Sequence, residues 1–151
     1  MVRMDISKEA KFEYAHRLHN YPGPCANIHG HSGRLIVTIS GEVKEDGMVV
    51  DFKWLDKVID DAIVKRLDHQ FLNELGLADL QFLPTAERLC IFIWRALSRH
   101  LNSIERKFGS DLRLEKVQFW ETETSSALLT KEHWSDAIKK KQEERYAIKS
   151  E

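Results

Sequence analysis

Cysteine is nearly absent: Cys25 and Cys90 are the only two in 151 residues, too few for a disulfide framework. Two unpaired thiols suit a reducing compartment. An excess of one charge is absent as well. Lys and Arg number 23 against 24 Asp and Glu, a formal net charge of −1, so no general attraction draws the chain to nucleic acid or to an anionic membrane. No apolar run approaches the roughly 20 residues that span a bilayer. The opening Met1-Val2-Arg3-Met4-Asp5 lacks the hydrophobic stretch of a signal peptide. These absences predict a cytoplasmic protein that binds neither nucleic acid nor membrane. Internal repeats and low-complexity segments are missing too, and the length leaves no room for a second independent core.

What is present is an ordinary globular composition, 42% hydrophobic and 31% charged, with seven histidines and four tryptophans as the unusual components. Alternation over residues 5–16, with Phe12, Tyr14 and His16 on one side, predicts a half-buried strand. Pro22-Gly23-Pro24, flanked by Asn20 and Asn27, punctuates a loop over 17–28. A second strand runs from Ile28 to Val43, with Leu35, Val37 and Ile39 sharing a parity, and Met48-Val49-Val50 reads as a further strand piece. Asp51 offers an N-cap for an amphipathic helix from Phe52 to Leu67. A long connection over 68–84 ends at Pro84. Thr85 then caps a second helix whose apolar face runs from Leu89 to Ile104 and which Gly109 stops. Leu112–Trp120 and Ser126–Thr130 are two more strands, and residues 131–149 form a charged, partly exposed terminal helix. The expected architecture is α+β: a four-stranded antiparallel sheet with two helices on one face. Residues 1–130 make the domain, and 131–151 are a charged helical extension of it.

The histidines carry the chemistry. His29 and His31 are two apart on a strand, so both imidazoles project from one face. If the first two strands pair around the 17–28 loop, His16 ends beside them, within the 4.8 Å or so of neighbouring strands. Three imidazoles without a fourth protein ligand describe a catalytic zinc site with one open position. His19, on the loop, competes for membership. Cys25 lies four residues before His29, where a cation and imidazoles would lower a thiol's pKa and make it a nucleophile or base; as a fourth ligand it would instead close the site. Cys90 sits on the apolar side of the second helix and reads as core. Asp68-His69 pairs a carboxylate with an imidazole in the manner of an acid–base couple. Glu121 follows an apolar strand: either it is a turn residue, or it accepts two N–H bonds from a planar heterocycle.

Taken together, these segments resemble the family of the 6-pyruvoyl- and 6-carboxytetrahydropterin synthases. The resemblance rests on Phe12-Glu13-Tyr14-Ala15-His16-Arg17-Leu18, Cys25-Ala26-Asn27-Ile28-His29-Gly30-His31-Ser32 and Gly47-Met48-Val49-Val50-Asp51-Phe52. It continues through Leu67-Asp68-His69-Gln70-Phe71-Leu72-Asn73, Pro84-Thr85-Ala86-Glu87 and Trp120-Glu121-Thr122, in family order from about residue 5 to 130. It implies a tunnelling fold, with subunit sheets joined into a barrel and a homohexamer built as a dimer of trimers. It implies zinc on His16, His29 and His31, a catalytic Cys25 served by Asp68 and His69, and Glu121, with Thr85 and Glu87, at the pterin. The implied substrate is 7,8-dihydroneopterin triphosphate, at sites formed between subunits. The short Cys25–His29 spacing and the Trp120-Glu121-Thr122 context resemble the 6-carboxy branch of queuosine synthesis more than the 6-pyruvoyl branch. Gly33 departs from the pattern, standing where relatives often carry an aromatic residue.

Overall fold

Alternating apolar residues build the sheet. In this computed structural model, which describes residues 2–81, 83–108 and 111–148, β1 (Arg3–His16) and β2 (His29–Glu42) pair antiparallel along their whole length. β2 pairs in turn with β4 (Arg113–Trp120), and β4 with β5 (Ser126–Thr130), again antiparallel. The sheet has five strands in the order β3-β1-β2-β4-β5, not the four expected. The extra strand is β3 (Gln70–Phe71), which runs parallel to β1 beside Tyr14 and Ala15. Two residues are too few to show a period in sequence. The Met48–Val50 segment is likewise corrected: it forms a bend rather than a strand, with Val49 buried beside Gly41.

The α-helices among the described residues are α1 (Phe52–Ile59), α2 (Lys65–Leu67), α3 (Ala86–Phe108) and α4 (Lys131–Ile148). Both predicted caps form. Asp51 accepts from the Lys53 amide at 2.8 Å, and Thr85 from the Arg88 amide at 3.3 Å. The predicted 52–67 helix is interrupted, because residues Asp60–Val64 wind as a π-turn between α1 and α2. That extra residue per turn still leaves Ile63 and Leu67 buried in the core. Gly109, expected to stop α3, lies outside the described residues, as does Lys149 at the end of the terminal helix.

The parity seen in the sequence is the parity of burial. Phe12, Leu35, Val37, Ile39, Val117 and Phe119 face Leu55, Ile59, Ile63, Leu89, Ile93 and Leu97 of the helices in one apolar cluster. A bulge at Glu115, where Thr38 faces Lys116 and Ile39 faces Leu114, keeps Leu114 and Val117 both pointing inward. The opposite sheet face is polar, with Ser7 and Thr38 hydroxyls at 2.8 Å and Glu115 accepting from Ser40 at 2.6 Å. α4 lays Trp134 against Trp94 of α3, ring centroids 5.9 Å apart. Among the described residues no helix is long and apolar enough to cross a membrane.

Candidate active site

Strand pairing assembles the histidines. In the β1–β2 register His16 faces His29 and Tyr14 faces His31, so the three imidazoles share the inner sheet face at its open end. Their ring centroids are 4.6, 5.0 and 4.9 Å apart, and three ligand atoms lie within 4.8 Å of one another. Among the described residues this is the group of side chains able to hold a metal ion. His19 is exposed and outside it, which resolves that competition.

Carbonyls orient two of the rings. His16 Nδ1–H donates to the Pro84 carbonyl at 2.7 Å, and His29 Nδ1–H to the Asn27 carbonyl at 2.8 Å. With Nδ1 protonated in each neutral ring, both Nε2 atoms carry a lone pair, and they face each other at 3.0 Å. Two lone pairs at that distance repel unless a cation lies between them. The third donor, His31 Nε2, is buried without a hydrogen-bond partner. An orphaned nitrogen, two opposed lone pairs and carbonyl-fixed tautomers are what a metal-binding triad requires. Burial pushes the His16 pKa down, with the neighbouring imidazoles adding to it and the Pro84 carbonyl and Glu121 opposing. The neutral ring it favours is the form that binds metal.

A cleft of about 330 Å³ opens beside the triad, lined by His16, Cys25, Thr85, Glu87 and Glu121. Cys25 is half-buried in the turn Pro24–Ala26, and its carbonyl accepts from the Leu18 amide at 2.8 Å, tying that turn to the end of β1. Thr85 caps α3 and Glu87 belongs to its first turn. Glu121 is held by a tight turn, its amide donating to the Ser125 carbonyl at 3.1 Å. Its Oε2 accepts from the Tyr14 phenol at 3.3 Å, and Oε1 lies 3.8 Å from His31 Nε2. Burial first, then the Glu121 charge and hydrogen bond, drive the Tyr14 pKa far up, so the phenol stays a donor. Cys90, as expected, is core: its thiol contacts the Ala127 carbonyl at 3.5 Å, and burial pushes its pKa up to about 11.

Asp68 and His69 lie elsewhere. His69 lines a second cleft, of about 560 Å³, with Glu13, His31 and Ser32, while Cys25 borders the first. Asp68 accepts from the Glu13 amide at 2.9 Å and from His69 Nδ1 at 2.9 Å. Chiefly the Glu13 amide, and then His69, hold its carboxyl below the usual range. His69 adopts φ 57°, uncommon for a residue with a side chain, and donates its amide to the Glu13 carbonyl at 2.6 Å. Its ring is 77% exposed, free to meet something beyond this chain.

Several contributors escaped the sequence reading. Pro84 and Asn27 act through backbone carbonyls, which leave no signature in residue type. Asn73 clasps Arg17, accepting from its amide at 2.9 Å and donating to its carbonyl at 3.0 Å, and so fixes the chain just past His16. Tyr14 shares the parity of His16, the one available hint that it faces the site.

A mixed sheet with helices on one face and three imidazoles positioned to hold a metal ion at its end define a tunnelling-fold protein with a candidate metal centre. The family described as 6-pyruvoyl tetrahydropterin synthase matches residues 5–132, and the chain belongs to it. The 6-carboxy-5,6,7,8-tetrahydropterin synthase of Haemophilus influenzae is 33% identical over 141 residues, covering 80% of this chain and 94% of that protein. The Synechocystis protein of the same description is 40% identical over 99 residues, covering 61% and 73%. The solved 6-pyruvoyl tetrahydropterin synthase of Caenorhabditis elegans superposes with a TM-score of 0.70 at 25% identity, over 86% of this chain and 96% of that one.

Proposed function

We propose that the protein converts 7,8-dihydroneopterin triphosphate and one water to 6-carboxy-5,6,7,8-tetrahydropterin, releasing acetaldehyde and triphosphate, in the cytoplasm. The observation that carries this reading is a three-imidazole triad whose His16 opens onto the same cleft as a thiol and a carboxylate of fixed orientation. The metal is zinc, on His16, His29 and His31, a ligand set that leaves a position open. When bound, zinc supplies Lewis acidity, polarising the substrate's side-chain oxygens and acidifying the adjacent C–H. Glu121 accepts N–H donors of the pterin ring, and Thr85 and Glu87 sit at the same cleft to fix the ring's position. Cys25 Sγ takes and relays protons at the side chain. His69, oriented by Asp68, returns a proton from a second subunit, since its ring lines a different cleft of its own chain. That assignment fits a homohexamer, a dimer of trimers with sheets joined edge to edge. Among the described residues β3 covers β1 only at Tyr14 and Ala15 and β5 pairs only with β4, so both flanks of the sheet offer strand edges.

The alternative product is 6-pyruvoyltetrahydropterin, formed by triphosphate loss without carbon–carbon cleavage. The two readings share every site residue. Zinc-loaded protein incubated with 7,8-dihydroneopterin triphosphate, beside a Cys25→Ala control, separates them by product mass. A 6-carboxy product with acetaldehyde, lost in the variant, is expected. A 6-pyruvoyl product would move the reaction to the other branch. No turnover by folded, zinc-loaded protein would overturn the synthase reading and favour a binding module.

A further inference from the structure

We propose that Tyr14 is a positioning residue: lodged over Gly33, it reaches across β2 to hold the Glu121 carboxylate at the cleft, and so sets ligand affinity. This rests on the reading of Glu121 as the group that receives the pterin.

Tyr14 belongs to β1 and Glu121 follows β4, with β2 between them. Two inter-strand gaps amount to roughly 9.6 Å, more than a tyrosine standing upright on its strand can cover. The ring must lean over β2, and a gap is left for it there. A Cβ on Gly33 would lie 3.1 Å from Tyr14 Cε1, and 2.6 and 2.8 Å from Cζ and Cε2 of Phe119. The missing methyl is the space that the two rings occupy. Phe12 at 5.7 Å, Phe119 at 5.9 Å, His31 at 5.6 Å and His16, edge-on at 5.2 Å, surround the ring, which is 4% exposed. Packing therefore leaves the phenol little freedom to miss its acceptor.

The consequence falls on Glu121. A carboxylate that recognises two adjacent N–H groups must present both oxygens edge-on. A free glutamate rotates about its terminal torsion, which is broad. Here Tyr14 donates to Oε2 and leaves Oε1 on the side of His31. Tyr14 does not line the Cys25 cleft, so its action on a ligand there passes through Glu121. Phenylalanine would keep the ring in its slot and remove only the hydroxyl.

The test is equilibrium binding of neopterin, followed by its own fluorescence, to zinc-loaded wild type, Tyr14→Phe, Glu121→Ala and the double variant. Zinc affinity is measured alongside by chelator competition. We expect Tyr14→Phe to weaken neopterin about five- to tenfold, the scale of one ordinary hydrogen bond. Glu121→Ala should weaken it further, the double variant should match Glu121→Ala, and zinc affinity should not change in Tyr14→Phe. Unaltered neopterin binding by Tyr14→Phe, with Glu121→Ala impaired, would overturn the positioning role and leave the pterin reading standing. Losses that multiply in the double variant, or weakened zinc binding in Tyr14→Phe, would overturn it as well. Failure of folded, zinc-loaded wild type to bind neopterin would sink the pterin reading, and this proposal with it.

Discussion

Gly33→Ala sets two effects of opposite sign against each other. Gly33 has no positive φ, so by backbone entropy alone alanine should stabilise the fold by about 0.4–1 kcal/mol. Packing opposes it. The new Cβ would stand 2.6 Å from Phe119 Cζ, about 1 Å inside the roughly 3.5–4.0 Å at which carbons attract. Phe119 cannot easily retreat, being 0% exposed and stacked on Phe12 with centroids 5.5 Å apart. Overpacking of this kind costs about 1–3 kcal/mol, so sterics win, with a net loss near 1–2 kcal/mol. For a chain of this length that lowers the Tm by about 2–8 °C. Calorimetry in the presence of a chelator, which removes any contribution from bound metal, measures it. Adding Phe119→Leu should cost the Gly33→Ala protein less than it costs wild type. A variant that melts at or above wild type would refute the account of why position 33 lacks a side chain.

Three further outcomes are expected. His31→Ala should lower zinc affinity by more than the roughly 10- to 100-fold typical of losing an orienting partner, read by competition with a chromogenic chelator; unchanged affinity would remove His31 from the metal site. With the thiol of Cys90 pushed up to about 11 by burial, brief alkylation of the native protein near pH 8 should label Cys25 alone, and denaturation should expose both; equal native labelling would contradict the packing of α3 on β5. Because the folded Asp68 pKa is depressed, its stabilisation is complete above its usual value of 3.8 and is lost as pH falls through the lower folded value. Asp68→Asn should therefore be less stable than wild type at pH 7, and the gap should close in acid melts; a gap independent of pH would show that the charge plays no part.

Much of the fold was legible because local sequence carries local geometry. The period-two runs of β1 and β2, the caps at Asp51 and Thr85 and the period-3.6 face of α3 depend on residues a few positions apart. The same is true of the His29-Gly30-His31 pair, whose shared face follows from alternation alone. Even His16 was within reach, since one hairpin brings it opposite His29. β3 and the π-turn after α1 were not legible. The first depends on the His69 amide donating to the Glu13 carbonyl across 56 positions, and no residue preference marks the second.

Sequence by itself determined the strands, the helices and the identity of the three imidazoles, because side-chain parity and capping act over one or two turns of chain. Tertiary structure alone decided which nitrogens face inward, since the Pro84 and Asn27 carbonyls select the tautomers of His16 and His29. It also separated Asp68 and His69 from Cys25, and joined Tyr14 to Glu121 across β2 through the space at Gly33. These depend on atoms 68 or 107 positions apart meeting within about 3 Å, a matter of how elements pack rather than of what any segment prefers.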